Sequence, residues 1–186
     1  MLHRIKQKFR YLFLKRIQPE IIGGWMNANG VFCKHTGVSN MTHISQDGEN
    51  LYIGENVFIG HFNYIDGKNA HLTICDNVEI TNYTSILTHS THNAIRFSLA
   101  KETKLVGPVF IGENTYIGPH SVIMPNTRIG KGCVVSAYSY VKGEYPDYSI
   151  LRGQPARVIG DTRIIDKELL ERYPDLQNLY YNDENH

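Results

Sequence analysis

The sequence has few cysteines, no long hydrophobic segment and no excess of charge of either sign, and each absence excludes a class of protein. Its three cysteines lie far apart and form no CxxC pair, which argues against a disulfide framework or a zinc knuckle and favours a reducing cytoplasm. No apolar run approaches the roughly 20 residues that a membrane-spanning helix needs. A formal net charge of +1 provides no overall attraction to nucleic acid, and we expect no nucleic-acid partner.

The chain does contain a regular repeat of aliphatic residues, spaced six apart. Six residues match neither the 3.6-residue period of a helix nor the long alternation of a hairpin sheet, but they suit short strands joined by tight corners. Three such hexads would close one triangular coil, and stacked coils would bury the aliphatic residues in one interior column. The three registers are Ile53, Ile59, Ile65; Ile74, Ile80, Ile86; and Ile111, Ile117, Ile123, Ile129, Val135, Val141.

A second position in most hexads, four residues after the aliphatic one, is mostly small or β-branched, and we expect it to face the interior as well. The cysteines Cys33, Cys75 and Cys133 lie on or near inward positions, so we do not expect one of them to act as a nucleophile. Residues 23 to 50 fit the period poorly and predict irregular first coils. The second inward positions are Val57, Asn63, Val78, Thr84, Thr115, Ser121, Thr127, Cys133 and Ser139.

The repeat stops between Ile86 and Ile111, and we expect an extruded loop over residues 88–107. Long irregular loops inside compact domains are uncommon and tend to be functional. This loop carries His89 and His92, three residues apart. A histidine held at the base of such a loop is oriented and partly desolvated, which suits a general base. Both histidines are therefore candidate catalytic residues.

Three segments carry a resemblance to a known family: "ILTH", "GPVFIGENTYIGPHSVIMPNTRIGKGCVVSAYSYV" and "RGQPARVIG". With the hexads over roughly residues 44 to 160, they resemble the hexapeptide-repeat acyltransferases, in particular the galactoside and maltose acetyltransferases and the O-acetyltransferases of bacterial capsule and O-antigen loci. The resemblance implies an all-β solenoid, a left-handed parallel β-helix; the period alone does not choose the hand. It also implies a homotrimer whose active sites lie between subunits.

The activity that the resemblance implies is direct transfer of an acetyl group from acetyl-CoA to a sugar hydroxyl, and we expect that sugar to belong to a bacterial surface polysaccharide or its precursor. The histidine would act as general base, and no metal would take part. A gapless match to "I-L-T-H-D" segments selects His89, whereas a match to "T-x-x-H-P" segments needs one inserted residue and selects His92. The sequence alone does not decide between His89 and His92 as the base.

The resemblance also implies binding residues. "GHFNYID" resembles the acceptor-binding segment of sugar acetyltransferases and carries over Asn63, with Asp66 as a second substrate-binding candidate; Asn63 could equally serve as an inward-facing residue of its hexad. The closing segment resembles the donor site, with backbone contacts to the pantetheine arm and basic groups for the CoA phosphates. The cofactor-binding candidates are Ser121, Ala137, Ser139, Lys142, Arg152 and Arg157.

The two ends flank the domain predicted over residues 23–160. Residues 1–22 carry basic residues with no acid before Glu20, and apolar residues at helical spacing, which predicts a basic amphipathic helix. Such a helix could lie on an anionic membrane, placing the protein at the inner membrane face, or pack on the solenoid end or another subunit. Residues 161–186 predict a short helical cap, broken at Pro174, and a tail.

Three other functions compete with O-acetylation. The same chemistry could acetylate the nitrogen of an amino sugar, and these residues do not separate the two. The γ-class carbonic anhydrases share the expected fold, and His89 and His92 could be two zinc ligands, although the usual ligand spacing of that family is not present. A catalytically silent scaffold would bind no acetyl-CoA.

Overall fold

A computed structural model describes residue 6 and residues 18–46, 50–98 and 101–179. Short strands dominate these ranges, and most of the predicted N-terminal helix lies outside them. Among the described residues, the α-helices with both ends described are α1 (His92–Arg96) and α2 (Thr162–Arg172), and 3₁₀ turns span Lys101–Thr103 and Pro174–Leu179. The strands are β1 (Ile21–Met26), β2 (Phe32–Ser39), β3 (His43–Gln46), β4 (Leu51–Ile53), β5 (Phe58–Ile59), β6 (Tyr64–Gly67), β7 (Leu72–Ile74), β8 (Glu79–Ile80), β9 (Ser85–Ile86), β10 (His89–Ser90), β11 (Leu105–Val106), β12 (Val109–Ile111), β13 (Tyr116–Ile117), β14 (Val122–Ile129), β15 (Val134–Val135), β16 (Tyr140–Tyr145), β17 (Ser149–Gly153) and β18 (Ala156–Asp161).

Parallel pairing joins strands that are distant in sequence, and the chain passes through three stacks in turn. One stack contains β2, β5, β8, β13, β15 and β17; a second contains β3, β6, β9 and the start of β14; a third contains β4, β7, β12 and the end of β14. Phe58 pairs with Glu79 and Glu79 with Tyr116, so the second step spans the interruption in the repeat. This parallel stacking is what the six-residue period predicts.

The core is the predicted aliphatic column. All twelve aliphatic residues of the three registers are fully buried, and they pack into one cluster. The second inward positions are buried too, with small or polar side chains that keep successive strands close. The approach is close at Gly112, for example, where an added Cβ would lie 2.6 Å from the backbone of Gly130 and Lys131. Corners are made by residues in the left-handed region, among them Asn56, Asn77 and Asn114.

The two ends of the described chain depart from the regular parallel coils. At the N-terminal end, β2 and β3 join the parallel stacks as the first coil should, but β1 pairs antiparallel with β2 as a hairpin. At the C-terminal end, the whole of α2 is described and only Thr162 in it is buried. Ile164, Ile165 and Leu169 of this helix are exposed, and a role of the segment as a cap stays a prediction. None of the helices in the described ranges is long and apolar enough to cross a membrane.

Candidate active site

At the interruption in the repeat, the chain leaves the coil and forms a short two-stranded ribbon. Strands β10 and β11 pair antiparallel, with His89 opposite Val106, and α1 and the first 3₁₀ turn lie between them. The Gly107 N–H donates to the Thr88 carbonyl at 3.0 Å, so the two ends of the segment are tied together. His89 stands at the base of this ribbon, where the chain leaves the coil.

His89 lies against a carboxylate from the preceding coil. The distance from His89 Nδ1 to Asp66 Oδ2 is 2.5 Å. Parallel pairing of β6 with β9, Tyr64 opposite Ser85, brings the two residues together across 23 positions of sequence. The Asp66 side chain is 1% exposed, whereas that of His89 is 27% exposed. The pair therefore has a buried carboxylate behind a histidine that solvent can reach.

Several donors surround the Asp66 carboxylate. Thr88 donates through its N–H at 3.3 Å and its hydroxyl at 2.9 Å, and the Lys68 N–H and the Ser45 hydroxyl each donate at 3.2 Å. Burial by itself raises the pKa of this carboxyl, but the hydrogen bonds from His89, Thr88 and the others outweigh it and hold the pKa well below its usual range. Asp66 is accordingly an ionised carboxylate at neutral pH.

The charge of Asp66 decides the tautomer of His89. An ionised carboxylate can only accept, so the 2.5 Å contact places the ring proton on Nδ1. In the neutral ring, Nε2 then carries the lone pair and can take a proton from a bound molecule. A histidine oriented by a buried carboxylate in this way is suited to general-base chemistry.

His92, the other candidate base, has a different environment. It is the first residue of α1, it is exposed, and its Nδ1 lies 2.7 Å from the Ser90 hydroxyl. In the contacts described for the two histidines, His89 has a carboxylate partner, whereas His92 has a hydroxyl partner. The described part of the chain holds no group of three or more His, Cys, Asp or Glu placed to bind a metal ion.

The predicted acceptor-binding residues lie inside the coil. Asn63 is 3% exposed; its amide donates to the Gly60 carbonyl at 2.9 Å, and its carbonyl accepts from the Thr84 N–H at 2.7 Å. This placement favours the inward structural role of Asn63 over acceptor binding. Asp66 is equally buried and is occupied by His89 and its other donors, so the geometry favours a role behind the histidine instead of direct contact with an acceptor.

The predicted donor-binding residues fall into buried and exposed groups. The hydroxyls of Ser121 and Ser139 both donate inward, to the Ser136 carbonyl, at 3.2 and 2.7 Å. The Ser139 backbone is also engaged, since its carbonyl accepts from Val122 N–H at 2.8 Å. A contact of the Ser139 backbone with a ligand stays a prediction. Ala137 is exposed at its corner.

The three basic candidates are exposed near the end of the repeat. Arg152 and Arg157 are directly opposite each other in the β17–β18 hairpin. The Tyr145 hydroxyl lies 3.2 Å from the carbonyl of Lys142 and 3.4 Å from that of Ala156, which brings β16 beside this hairpin. Lys142 therefore lies on a strand beside the hairpin that carries the two arginines.

Sequence analysis missed the residues that support Asp66. Ser45, Thr88 and Asn69 each donate to its carboxylate, and Lys104 donates to Asn69. Thr88 could have been found, because it stands in "ILTH" directly before His89. Asn69 and Lys104 carry no motif and are 35 positions apart, so the fold alone brings them together.

The cysteines are unsuited to nucleophilic chemistry. Cys33 and Cys133 are buried and Cys75 is half-buried. Burial raises the pKa of all three thiols, to about 11 for Cys75 and Cys133. A thiol must ionise to attack, so none of them is activated at neutral pH.

Together, the parallel-stacked hexads and the histidine–carboxylate pair at their interruption define a hexad-repeat protein with a candidate active site at the break in the repeat. Comparison with known proteins gives the family. Residues 108–143 match the family model described as bacterial transferase hexapeptide (six repeats). A hexapeptide-repeat acetyltransferase structure from Vibrio cholerae is 30% identical with a TM-score of 0.59, over 67% of this chain and 69% of that one. The chain belongs to the hexapeptide-repeat transferase family.

Two further relatives have named activities. The galactoside O-acetyltransferase of Escherichia coli (strain K12) is 37% identical over 123 residues, 64% of this chain and 58% of that protein. A galactoside acetyltransferase structure in complex with coenzyme A is 28% identical with a TM-score of 0.56, over 72% of this chain and 68% of that one. The chain thus spans less than two thirds of the length of the curated galactoside enzyme.

Proposed function

We propose that this protein is an acetyl-CoA-dependent O-acetyltransferase that uses His89 as its general base. The observation that carries the proposal is the contact of His89 Nδ1 with the buried, ionised Asp66 carboxylate, which leaves Nε2 as the proton acceptor. The family, the galactoside O-acetyltransferase relative and the coenzyme A complex of a neighbouring structure support the choice of donor and reaction.

In the proposed reaction, His89 Nε2 takes the proton of an acceptor hydroxyl as that oxygen attacks the thioester carbonyl carbon. The new C–O bond forms, the C–S bond of acetyl-CoA breaks, and the thiolate of CoA leaves with the proton returned by the imidazolium. Asp66 stabilises the imidazolium and keeps the ring in its orientation. General-base catalysis of this kind contributes typically about 10²- to 10⁴-fold.

The experiment that tests this function is acetyl transfer from acetyl-CoA to pooled sugar acceptors, comparing wild type, His89→Ala and His92→Ala. His92 is the matched control, because it lies on the same segment and has no carboxylate partner among its described contacts. We expect His89→Ala to lose about 10²- to 10⁴-fold in kcat and His92→Ala to stay within a few fold. The opposite pattern would assign the base to His92, and no turnover of acetyl-CoA by wild type would reject the function.

For the acceptor, we propose a sugar hydroxyl of a bacterial surface polysaccharide or its precursor. The galactoside specificity of the E. coli relative supports a sugar. To distinguish O-acetylation from N-acetylation, the acceptor pool should include amino sugars, and the product should be identified by mass spectrometry before and after treatment with mild base. An acetyl ester is cleaved by mild base, whereas an amide is not. A product with only N-acetyl groups would replace the O-acetylation proposal.

For the donor, we propose that Lys142, Arg152 and Arg157 bind the CoA phosphates, with Ala137 near the pantetheine arm. Their exposure on a strand and on the hairpin beside it supports this, since charge-assisted hydrogen bonds from arginine and lysine are strong phosphate contacts. Arg152→Ala should raise the KM for acetyl-CoA with little change in kcat, whereas Arg172→Ala, on the exposed end of α2, should change neither.

The proposal also covers the quaternary structure and the handedness of the β-helix. We infer left-handed coils and a homotrimer with each active site between two subunits, as the family resemblance implies. The 27% exposure of His89 within one subunit leaves room for a neighbouring chain to form the second wall of the site.

The basic N-terminal segment, residues 1–17, supports a further part of the proposal, peripheral contact with an anionic membrane. It has Arg4, Lys6, Lys8, Arg10, Lys15 and Arg16 and no acidic residue, and each basic residue near an anionic surface contributes about 1 kcal/mol. The full chain should sediment with phosphatidylserine vesicles and less so after these residues are changed to glutamine. No sedimentation with anionic vesicles would favour packing on the protein instead.

A further inference from the structure

A cavity of about 280 Å³ lies on the outside of the coils, and the proposed reaction makes no use of it. Three of its residues are directly opposite one another on neighbouring parallel strands: Phe110 on β12, Arg128 on β14 and Glu144 on β16. The residues on either side of Phe110 and of Arg128 are buried, so these two side chains point outward. The rest of the lining consists of Pro108, Asn126 and Thr127.

The cavity adjoins the corner of the coil that carries the candidate base. Ile86 pairs with Ile123, and His89 and Asn126 each lie three residues beyond these paired positions. Asn126 therefore corresponds to His89 one coil further along the stack. Neighbouring parallel strands lie about 4.8 Å apart, so the cavity begins one or two such spacings from the histidine.

The returning end of the extruded segment leads into the same cavity. The Gly107 N–H donates to the carbonyl of Thr88, the residue before His89, at 3.0 Å. Pro108 follows directly and lines the cavity, and the Asn126 side chain fills the space where a Cβ of Gly107 would lie. The wall of the cavity is thus continuous with the base of the segment that holds His89.

The lining combines apolar surface with donors and acceptors. The guanidinium carbon of Arg128 lies 4.1 Å from the centroid of the Phe110 ring, a cation–π contact that orients the donors of the arginine. Glu144 supplies acceptors, Asn126 supplies both kinds of group, and Pro108 adds apolar surface. A sugar ring has apolar C–H groups and hydroxyls that both donate and accept, so this lining matches its chemistry.

The charge and size of the cavity favour a neutral ligand of one ring. Arg128 and Glu144 carry opposite charges, so an anionic group such as a phosphate would meet the Glu144 carboxylate. Among the residues that the structure describes, no hydrogen bond or ion pair engages that carboxylate or the Asn126 amide, and both side chains are exposed. The volume of about 280 Å³ lies just below the roughly 300–1,000 Å³ of sites for drug-sized ligands, which suits a smaller molecule.

We propose that this cavity is a second sugar subsite, which binds the sugar unit next to the acetylated unit of an oligosaccharide or polysaccharide chain. The inference rests on the proposed function, which places a sugar hydroxyl at His89, and it names a glycan chain as the substrate class. A free monosaccharide at His89 would leave the cavity empty. Longer acceptors therefore gain contacts with Asn126, Arg128 and Glu144 that a single unit lacks.

The first readout is binding to an array of immobilised bacterial mono- to tetrasaccharides, which requires no acetyl transfer. The cavity variants are Glu144→Gln and Asn126→Gly; glycine accepts the left-handed backbone of Asn126. Their matched controls are Glu79→Gln, which is exposed on β8 in the first stack, and Asn114→Gly, which has the same backbone conformation at another corner.

We expect wild type and both controls to retain tri- and tetrasaccharides more strongly than monosaccharides, and both cavity variants to lose this dependence on chain length. Equal retention by all five proteins, or no retention of any oligosaccharide by wild type, would overturn the subsite.

The second readout is the kinetics of acetyl transfer to the sugars of the acceptor pool, each supplied as a methyl glycoside and as a trisaccharide ending in the same unit. Glu144→Gln should raise the KM for the trisaccharide by about 5- to 30-fold, as expected for the loss of one or two hydrogen bonds. The KM values for the methyl glycoside and for acetyl-CoA should not change. A raised KM for acetyl-CoA alone would assign the cavity to the donor and overturn the proposal.

The outcomes separate this inference from the proposed function. Binding that depends on chain length and is lost in Glu144→Gln, with no acetyl transfer by wild type, would support the sugar subsite and reject the acetyltransferase function. Acetyl transfer by wild type with equal KM values for methyl glycosides and trisaccharides would overturn the subsite and leave the function intact. Thermal transitions check that both cavity variants are folded, and either variant alone gives both readouts.

Discussion

At the scale of single residues, the site depends on one buried charge. Asp66 has 1% of its side chain exposed and accepts from His89, Thr88, Ser45 and Asn69. Burying a carboxylate is unfavourable unless hydrogen-bond donors replace its hydration. Here the effect of the donors exceeds that of burial, so the pKa of Asp66 is lowered. The same charge sets the tautomer of the histidine in front of it.

Asp66→Asn should therefore reduce catalysis while the fold persists. An amide can offer its N–H to His89 and so favours the tautomer with the proton on Nε2, which removes the base. We expect a loss of about 10²- to 10⁴-fold in kcat, measured by acetyl transfer at saturating donor. Asp76→Asn is the matched control, since Asp76 accepts from the Glu55 N–H at a corner away from His89. Equal losses in both variants would contradict a specific role for Asp66.

The lowered pKa of Asp66 also predicts how stability depends on pH. A carboxyl whose pKa is lower in the folded state than its ordinary value of 3.8 stabilises the fold fully above that value, and the contribution is lost as pH falls toward the folded pKa. Urea midpoints of wild type and Asp66→Asn should thus differ most at pH 5 and above, and the gap should narrow below about pH 3.8. A constant gap from pH 7 to pH 3 would show that Asp66 does not titrate differently in the folded state.

The cysteine thiols lead to a chemical prediction at the same scale. With their pKa values raised to about 11, Cys75 and Cys133 stay protonated at pH 7.5. Iodoacetamide should modify the native protein much more slowly than the urea-unfolded protein, as followed by intact mass, and acetyl transfer should survive the treatment. Rapid loss of activity in step with alkylation of one cysteine would point to a covalent thioester route.

At the scale of elements, stability comes from parallel strands that carry one or two inward residues each. A strand such as β13, with two residues, cannot persist alone, and it is held by β8 on one side and β15 on the other. The coils must approach closely for these ladders to form. That requirement explains the glycines that follow the aliphatic residues, where the backbone of the next coil leaves no space for a side chain.

Gly112→Ala tests this close approach. Its Cβ would meet the backbone of Gly130 and Lys131 at 2.6 Å, and backbone cannot rotate away as a side chain can. We expect a loss of about 1–3 kcal/mol in the free energy of unfolding, from urea denaturation. Gly23→Ala, in the β1–β2 hairpin, has nothing within 4 Å of the added atom and should change stability by less than about 0.5 kcal/mol. Similar effects at both positions would mean that the coils separate easily.

At the scale of the whole molecule, one subunit leaves apolar surface uncovered at its C-terminal end. The helix α2 buries only Thr162 of its residues, and Ile164, Ile165 and Leu169 are exposed. Exposed apolar side chains in such a group are typical of surfaces that meet another chain. The predicted trimer would give this helix and the open side of His89 a neighbour.

Analytical ultracentrifugation should accordingly give three times the 21.3 kDa mass of the chain. If each site lies between two subunits, specific activity should fall on dilution at the concentration where the trimer dissociates, and added acetyl-CoA should shift that concentration downward. A fully active monomer would contradict shared sites and would place the whole reaction within one chain.

The sequence alone predicted the parallel strands, the buried aliphatic column, the interrupted repeat and the two candidate histidines, because inward-facing residues recur with the six-residue period and a break in that period is visible without coordinates. It could not choose between His89 and His92, or predict the contacts of Asn63 and Asp66, since these depend on which side chains meet across coils. Register decides those contacts: it places Asp66 behind His89, Asn69 beside Asp66 and Lys104 beside Asn69, from positions up to 35 residues apart that share no motif. The sequence could not predict that one apolar face of α2 is exposed either, because helical spacing reveals an apolar stripe but not whether the rest of the fold covers it.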